Sequence, residues 1–433
     1  MTRRGFLLAP ALTLPLRAAG VISVLDFGAK ADGETVNSAA IQRAIDACGE
    51  KGGGTVLFPA GRYVSGTILL RDGVTLRLAE GASLLGSTNL ADYRSIDDFR
   101  DGTGAAMGYC FVGAVDRKNV GIEGPGTIDG RGKEVLAARG TADRSKRPFL
   151  ARFLRCSGVS LKDVQLQQSA AWCTHFFQCR DVAASGVKIV SHAGSNNDGF
   201  DIDSCQGVRI DNCDIDTGDD SICLKTTGPQ ACSGVSITNC RLKSNCAAVK
   251  CGTESVGDVS NIRVSGCHIV SAGLGGIKLL SVDGANLRDV VVSGITMDGG
   301  RVPVFLRLGA RLKTFRPGDE KRPAGSLKGI TIRGLRATAE GPGILISGVP
   351  GHPVEDVTFE DAEIRLPGGG VAEDAAVAVP EAEAAYPEIR MFGPKLPAWG
   401  VFARHLRGLK MSGVKMSVEK ADGRPERVLV DVE

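Results

Sequence analysis

The sequence predicts an all-β fold: a single-domain right-handed parallel β-helix of about ten coils, with an N-terminal capping helix. Three observations predict it. A short theme, apolar-x-apolar-x-small or polar-apolar, recurs along the chain. Copies begin at Val159, Val208, Val235, Ile262, Val291, Ile330, Val357 and Leu409. From Val208 to Val235 to Ile262 the step is 27 residues. Alternation at period two marks strands, and self-similarity at about 20 to 50 residues marks a repeat architecture. Third, the 58 glycines suit tight corners. A leucine-rich solenoid would need its own Leu and Asn pattern, which is absent.

In chain order, one helix is expected at residues 37–48 (Ala39, Ala40, Ile41, Ala44, Ile45), where it closes the first coil. Coils buried only against their neighbours need such ends. Val428–Val432 is expected to close the other. Two stretches break the period, 307–326 and 366–401, the second carrying Gly368-Gly369-Gly370. They read as long loops leaving the coil, and such loops gather on the binding face of repeat proteins. Length fits one domain because a solenoid grows along one axis.

Residues 1–20 read as an export signal of the twin-arginine type, with Arg3-Arg4 before an apolar run to Leu16, and 21–433 as the β-helix domain. The expected location is periplasmic or extracellular. The formal net charge is +3, and without the first 20 residues 49 basic residues face 49 acidic ones. Neither a nucleic-acid partner nor a membrane span is expected, and the chain is expected to be a monomer. The 13 cysteines fall partly into two series, Cys179, Cys205, Cys232 and Cys213, Cys240, Cys267, advancing one coil at a time. They read as two stacks of small apolar core residues. Adjacent coils also lie close enough for disulfides, because a strand spacing of about 4.8 Å falls in the bridging range. No zinc pattern stands out, and no cofactor or metal is expected.

The chemistry concentrates in two runs, Ser195-Asn196-Asn197-Asp198-Gly199-Phe200-Asp201 and Gly218-Asp219-Asp220-Ser221. Asp198 and Asp219 are 21 residues apart, close to one coil, which stacks the acids on one surface. Clustered carboxylates are costly to keep ionised together, and a solenoid needs no such cluster for stability. An acidic edge or a calcium site is the competing reading.

The first run resembles the Asn-Thr-Asp-Gly-x-Asp motif of glycoside hydrolase family 28, the polygalacturonases and their relatives, and Gly218-Asp219-Asp220 resembles that family's Gly-Asp-Asp. Asp26-Phe27-Gly28-Ala29, Gly52-Gly53-Gly54-Thr55-Val56 and Phe58-Pro59-Ala60-Gly61 are similar to the opening shared by many pectin-active β-helix proteins. The resemblance covers roughly residues 24–420 and implies inverting hydrolysis of α-glycosidic bonds in a uronate-containing plant polysaccharide or its oligomers. It implies Asp219 as general acid, with Asp198 and Asp220 holding and activating water. Such a site needs acid and base carboxyls about 6.5 to 9.5 Å apart.

Two expected residues are missing. The family's Gly-His-Gly has no counterpart in the stretch 245–254, and its Arg-Ile-Lys is reduced here to Gly276-Ile277-Lys278. A different pectin linkage, as in rhamnogalacturonan, follows as an alternative to polygalacturonan. Period-two parity places Lys225, Lys250, Lys278 and Arg307 outward on successive coils, giving a basic ladder beside the acids, open to a uronate polymer or neutralised within the protein. Asn196 and Asp201 belong to the same surface. One coil earlier, Trp172 offers a ring to stack on a sugar and His175, set opposite Asp201, a donor. Arg311, Lys313, Arg316, Lys321 and Arg322 form a basic loop, read as a cleft wall or a solvated charge run. Two other classes stay open: a β-helix polysaccharide lyase with a Lys or Arg base, and a non-catalytic carbohydrate-binding β-helix.

Overall fold

The computed structural model describes residues 20–140 and 146–433. The segment read as an export signal lies, but for Gly20, outside the described residues. The chain winds as a right-handed parallel β-helix. The coils stack as three parallel ladders, in which strands pair with their equivalents one coil on.

The recurring theme explains the winding. Its fifth position adopts positive φ in copy after copy: Asp163 at 52°, Asn212 at 51°, Asn239 at 55°, Gly266 at 62°, Gly334 at 62° and Asp361 at 51°. Asn, Asp and Gly are the residues that enter the left-handed region most readily. The corner is therefore written into the sequence, and the alternating apolar residues before it point inward. Along the ladder that carries the acids, Phe176, Ile202, Leu224, Cys251, Leu279, Leu306 and Ile346 stand in register, one per coil. All are nearly or fully inaccessible, and burying a side chain of this size contributes about 1.5 to 3 kcal/mol.

The helix spans Ser38–Glu50 and buries Ala40, Ile41, Ala44, Ile45 and Cys48 against the first strands; Ala39 is exposed. At the other end Arg427–Val432 pairs as a further parallel strand on Val401–Lys420, with Leu429 and Val430 about half exposed. All thirteen cysteines are free. In the first stack the Cys179 N–H donates to Cys205 Sγ at 3.3 Å, and the thiols of Cys179 and Cys205 donate to backbone carbonyls of the neighbouring coils.

Four excursions leave the coil among the described residues; one, following Thr127–Asp129, carries a second helix, Gly132–Arg139, that the expectation of a single helix does not foresee. Arg94–Arg100 folds back antiparallel on Ala106–Val115, an element the periodicity does not reveal. The other two, 309–325 and 369–400, match the expected interruptions. Two small apolar clusters fasten excursions to the outer surface of the acid-bearing ladder. Phe99, Met107, Phe149 and Trp172 form one. Ile389, Phe392 and Leu396 pack on Leu280, Phe305, Leu345 and Phe402 to form the other. Between them the outer surface of the ladder is polar.

Candidate active site

A cavity of about 480 Å³ opens in that polar gap, lined by Asp198, Asp219 and Asp220 together with Trp172, Asn196, Lys225 and Lys250. The two motif runs enter it by strand ends that sit one coil apart. Asn197 fixes the first. Its Nδ2 donates to the carbonyls of Ser169 at 2.8 Å and Ala171 at 3.0 Å, and its Oδ1 accepts from Gly194 N at 2.7 Å. Gly199 follows because the coils touch there: a Cβ would stand 2.4 Å from the Ser221 carbonyl oxygen. In the second run, Asp219 Oδ1 accepts the Asp220 N–H at 3.0 Å. Asp220 Oδ1 accepts the Ala247 N–H at 3.0 Å.

The acids have unequal surroundings. Burial, then Asp220, raises Asp219 above its ordinary 3.8. Burial, then Asp201, raises Asp198 well above it. Burial also works to raise Asp220, but Lys250, Lys225 and Lys278 outweigh it and hold Asp220 below the ordinary value. Oxygens of Asp198 and Asp220 lie within 4.8 Å of each other, as do those of Asp219 and Asp220. Both pairs are close enough for one water to bridge them. The second is tighter than the expected separation of acid and base, and the stereochemical course does not follow from spacing alone.

The ladder is two staggered rows rather than one. Lys250 and Lys278 are in register, but Cys223, not Lys225, precedes Lys250 in that row. A bulge after Leu224 and a two-residue offset separate Lys225. Every member is partnered from within. Lys225 Nζ lies 3.2 Å from Asp201, 3.5 Å from both Asp198 and Glu254, and 3.9 Å from the centre of the Trp172 ring. Lys250 Nζ stands 2.7 Å from Asp220, and Lys278 Nζ 2.5 Å from Glu388. Burial works against the charge of Lys225 and Lys250, yet the acids around each raise both well above 10.5.

Four expected contacts are drawn back from the cavity wall. Arg307 is 1% exposed; its guanidinium donates to Ser347 Oγ and to the carbonyls of Gly348, Glu381 and Ala382. It braces the 369–400 excursion instead. Lys278 is as deeply buried beneath Glu388. Asp201 is fully buried beside Lys225. His175 does stand opposite Asp201 but is sealed under Phe99 and Phe149. Burial depresses it to about 4. The neutral ring accepts from Arg152 Nε at 3.1 Å and donates to Asp203 at 3.3 Å. Trp172 reaches the cavity, although it is almost wholly buried.

Other wall residues carry no sequence motif. Asp101, Thr103, Glu254, Arg301, Tyr386, Glu388 and Arg390 all line the cavity. Lys313 does too, the member of the basic loop that arrives there. All except Glu254 come from excursions or loops, where periodicity is silent. Two groups of donors, Asp198 with Asp220 and Cys223, and Asp219 with Asp220 and Cys246, are close enough to hold a cation. Any ion there would compete with the ammonium groups of Lys225 and Lys250.

Comparison with known proteins adds an independent line. A probable polygalacturonase of Vitis vinifera is 26% identical over 365 residues, covering 79% of this chain and 74% of that one. An exo-poly-alpha-D-galacturonosidase of Dickeya chrysanthemi is 30% identical over 252 residues, 47% of this chain and 41% of its own. The crystal structure of a hyperthermoactive exopolygalacturonase from Thermotoga maritima superimposes with a TM-score of 0.70 at 21% identity, covering 92% of each chain, and shows the shared fold. The sequence profile of Glycosyl hydrolases family 28 matches residues 48–384. That span is well over half of the chain, which therefore belongs to glycosyl hydrolases family 28 and is a glycoside hydrolase.

Proposed function

We propose that the cavity hydrolyses an α-glycosidic bond in a uronate-containing pectic glycan by single displacement. Asp219 gives its proton to the glycosidic oxygen as the bond to the anomeric carbon breaks. A water between Asp198 and Asp220 attacks that carbon from the opposite face, and its proton passes to Asp220. The observation that carries this reading is the split in surroundings. Burial and a neighbouring anion favour the protonated form of Asp219, while Lys250 favours the ionised form of Asp220. Paired acids with opposed proton affinities are what acid–base hydrolysis requires. The close approach of Asp198 and Asp220, within 4.8 Å, is compatible with a water held between them. Retention is the competing course, and the close approach of Asp219 to Asp220 keeps it in play.

A lyase is disfavoured. Its base would have to be a lysine that gives up a proton readily at the cavity wall, whereas Lys225 and Lys250 are held more firmly protonated than usual. Lys278, which burial lowers, lies off the wall beneath Glu388. The export reading of residues 1–20 accords with a polymeric substrate outside the cell.

The test is proton NMR of the first product formed from pectic oligosaccharides. The inverted anomer is expected, and the retained anomer would overturn single displacement. Asp219→Asn is expected to lower kcat at least a thousandfold with an unchanged melting temperature. Build-up of an unsaturated, ultraviolet-absorbing product would sink hydrolysis in favour of elimination.

A further inference from the structure

The 369–400 excursion lays Glu388 over Lys278. The pair is 2.5 Å apart, and Lys278 is 1% and Glu388 8% exposed. Only Glu388 belongs to the cavity wall. Its Oε1 accepts from Lys278, while its Oε2 is buried with no hydrogen-bond partner. The wall beside the catalytic acids thus carries a carboxylate over Lys278, and no exposed cation, at that position. A second carboxylate brought there from a sugar would meet like charge in a desolvated pocket, which is unfavourable. A neutral sugar meets no such repulsion. Asp101 Oδ2 and Asp198 Oδ1 are also buried acceptors without partners on the same wall. The cations without an ion-pair partner among the described residues stand at its rim: Arg301, Lys313 and Arg390, all exposed.

We infer that Glu388 sets the substrate class: the sugar seated beside Lys278 is a neutral pyranose, and the uronates of the glycan lie outward against Arg301, Lys313 and Arg390. The inference rests on the reading of this cavity as a pectic glycan site. It makes the enzyme selective for a chain in which neutral sugars and uronates alternate, over a chain of uronates alone. Glu388 acts as a specificity determinant, by contact with the bound sugar and by covering Lys278.

Calorimetric titration tests this in the full chain carrying Asp219→Asn, which stops turnover. The probes are trigalacturonate and an oligomer of equal length alternating rhamnose with galacturonate. The mixed oligomer is expected to bind at least about tenfold more tightly. Adding Glu388→Ala uncovers Lys278 and is expected to strengthen trigalacturonate binding by about tenfold or more. A further Lys278→Met should erase that gain. Glu388→Gln keeps the side-chain shape and should move the ratio in the same direction, which guards against misfolding of the alanine variant. Tighter binding of trigalacturonate by the parent, no binding of either probe, or an unchanged ratio in both Glu388 variants would overturn the inference. Selective binding of the mixed oligomer that the wild-type enzyme then leaves uncut would defeat the hydrolase reading and leave this one standing.

Discussion

Asp219 and Asp220 are consecutive residues with opposed proton affinities, and the difference comes from the lysines around Asp220, Lys250 first among them. Asp220 has Lys250 at 2.7 Å; Asp219 accepts from a backbone N–H and stands beside the Asp220 anion. On the proposed mechanism, activity needs Asp220 ionised and Asp219 protonated. A bell-shaped dependence of kcat/KM on pH is expected. Its acid limb should fall below the ordinary carboxylate value, because Asp220 is lowered, and its alkaline limb above it, because Asp219 is raised. For stability the signs are opposite. The raised Asp219 favours the fold at low pH and loses that contribution as pH rises through its folded pKa; the lowered Asp220 favours the fold above its unfolded pKa and loses its share as pH falls. Lys250→Met removes the partner of a buried anion. It should cost about 3 to 5 kcal/mol in denaturant unfolding and move the acid limb of the activity profile to higher pH. An acid limb that stays in place would show that Lys250 does not hold Asp220 ionised.

At the scale of the element, the motif runs are as much about joining coils as about chemistry. Gly199→Ala would drive a Cβ into the Ser221 carbonyl, and backbone there cannot rotate away as a side chain could. A loss of about 1 to 3 kcal/mol is expected, read as a lower thermal midpoint, with activity falling because Ser221 follows Asp220 directly. The strands, the helix and both acid runs were legible in the sequence because period two, the left-handed corner at Asn212 or Asp361, and the burial of one face all act locally. Glu388, Tyr386 and Arg390 were not legible. They reach the cavity through packing of Ile389 and Phe392 on Phe305 and Phe402, a long-range contact that leaves no local period. The basic ladder was half legible: parity placed each cation on the correct face, but parity carries no information on register, which sets Lys225 and Arg307 two residues away from the row of Lys250 and Lys278.

Across the whole molecule, function depends on two covers and the gap between them. The cover built by 369–400 is held by a small apolar cluster separate from the main core, so it can open without unwinding the coil. Phe392→Ser should release it. Limited proteolysis is expected to cut between residues 369 and 400, and KM should rise while the global thermal midpoint changes little. Resistance to cleavage with unchanged KM would show that the cover is fastened elsewhere. The cysteine stacks carry a different consequence. Wound up, the chain keeps all thirteen thiols unpaired, and twelve of them are buried. Unwound in an oxidising compartment, the same thiols become mutually accessible reactants with an odd one left over, and any bridge closed before the coils form fixes a register the fold does not use. Yield should therefore turn on timing: a chain that completes its coil before meeting an oxidant arrives whole, and one that meets the oxidant first is trapped by its own core.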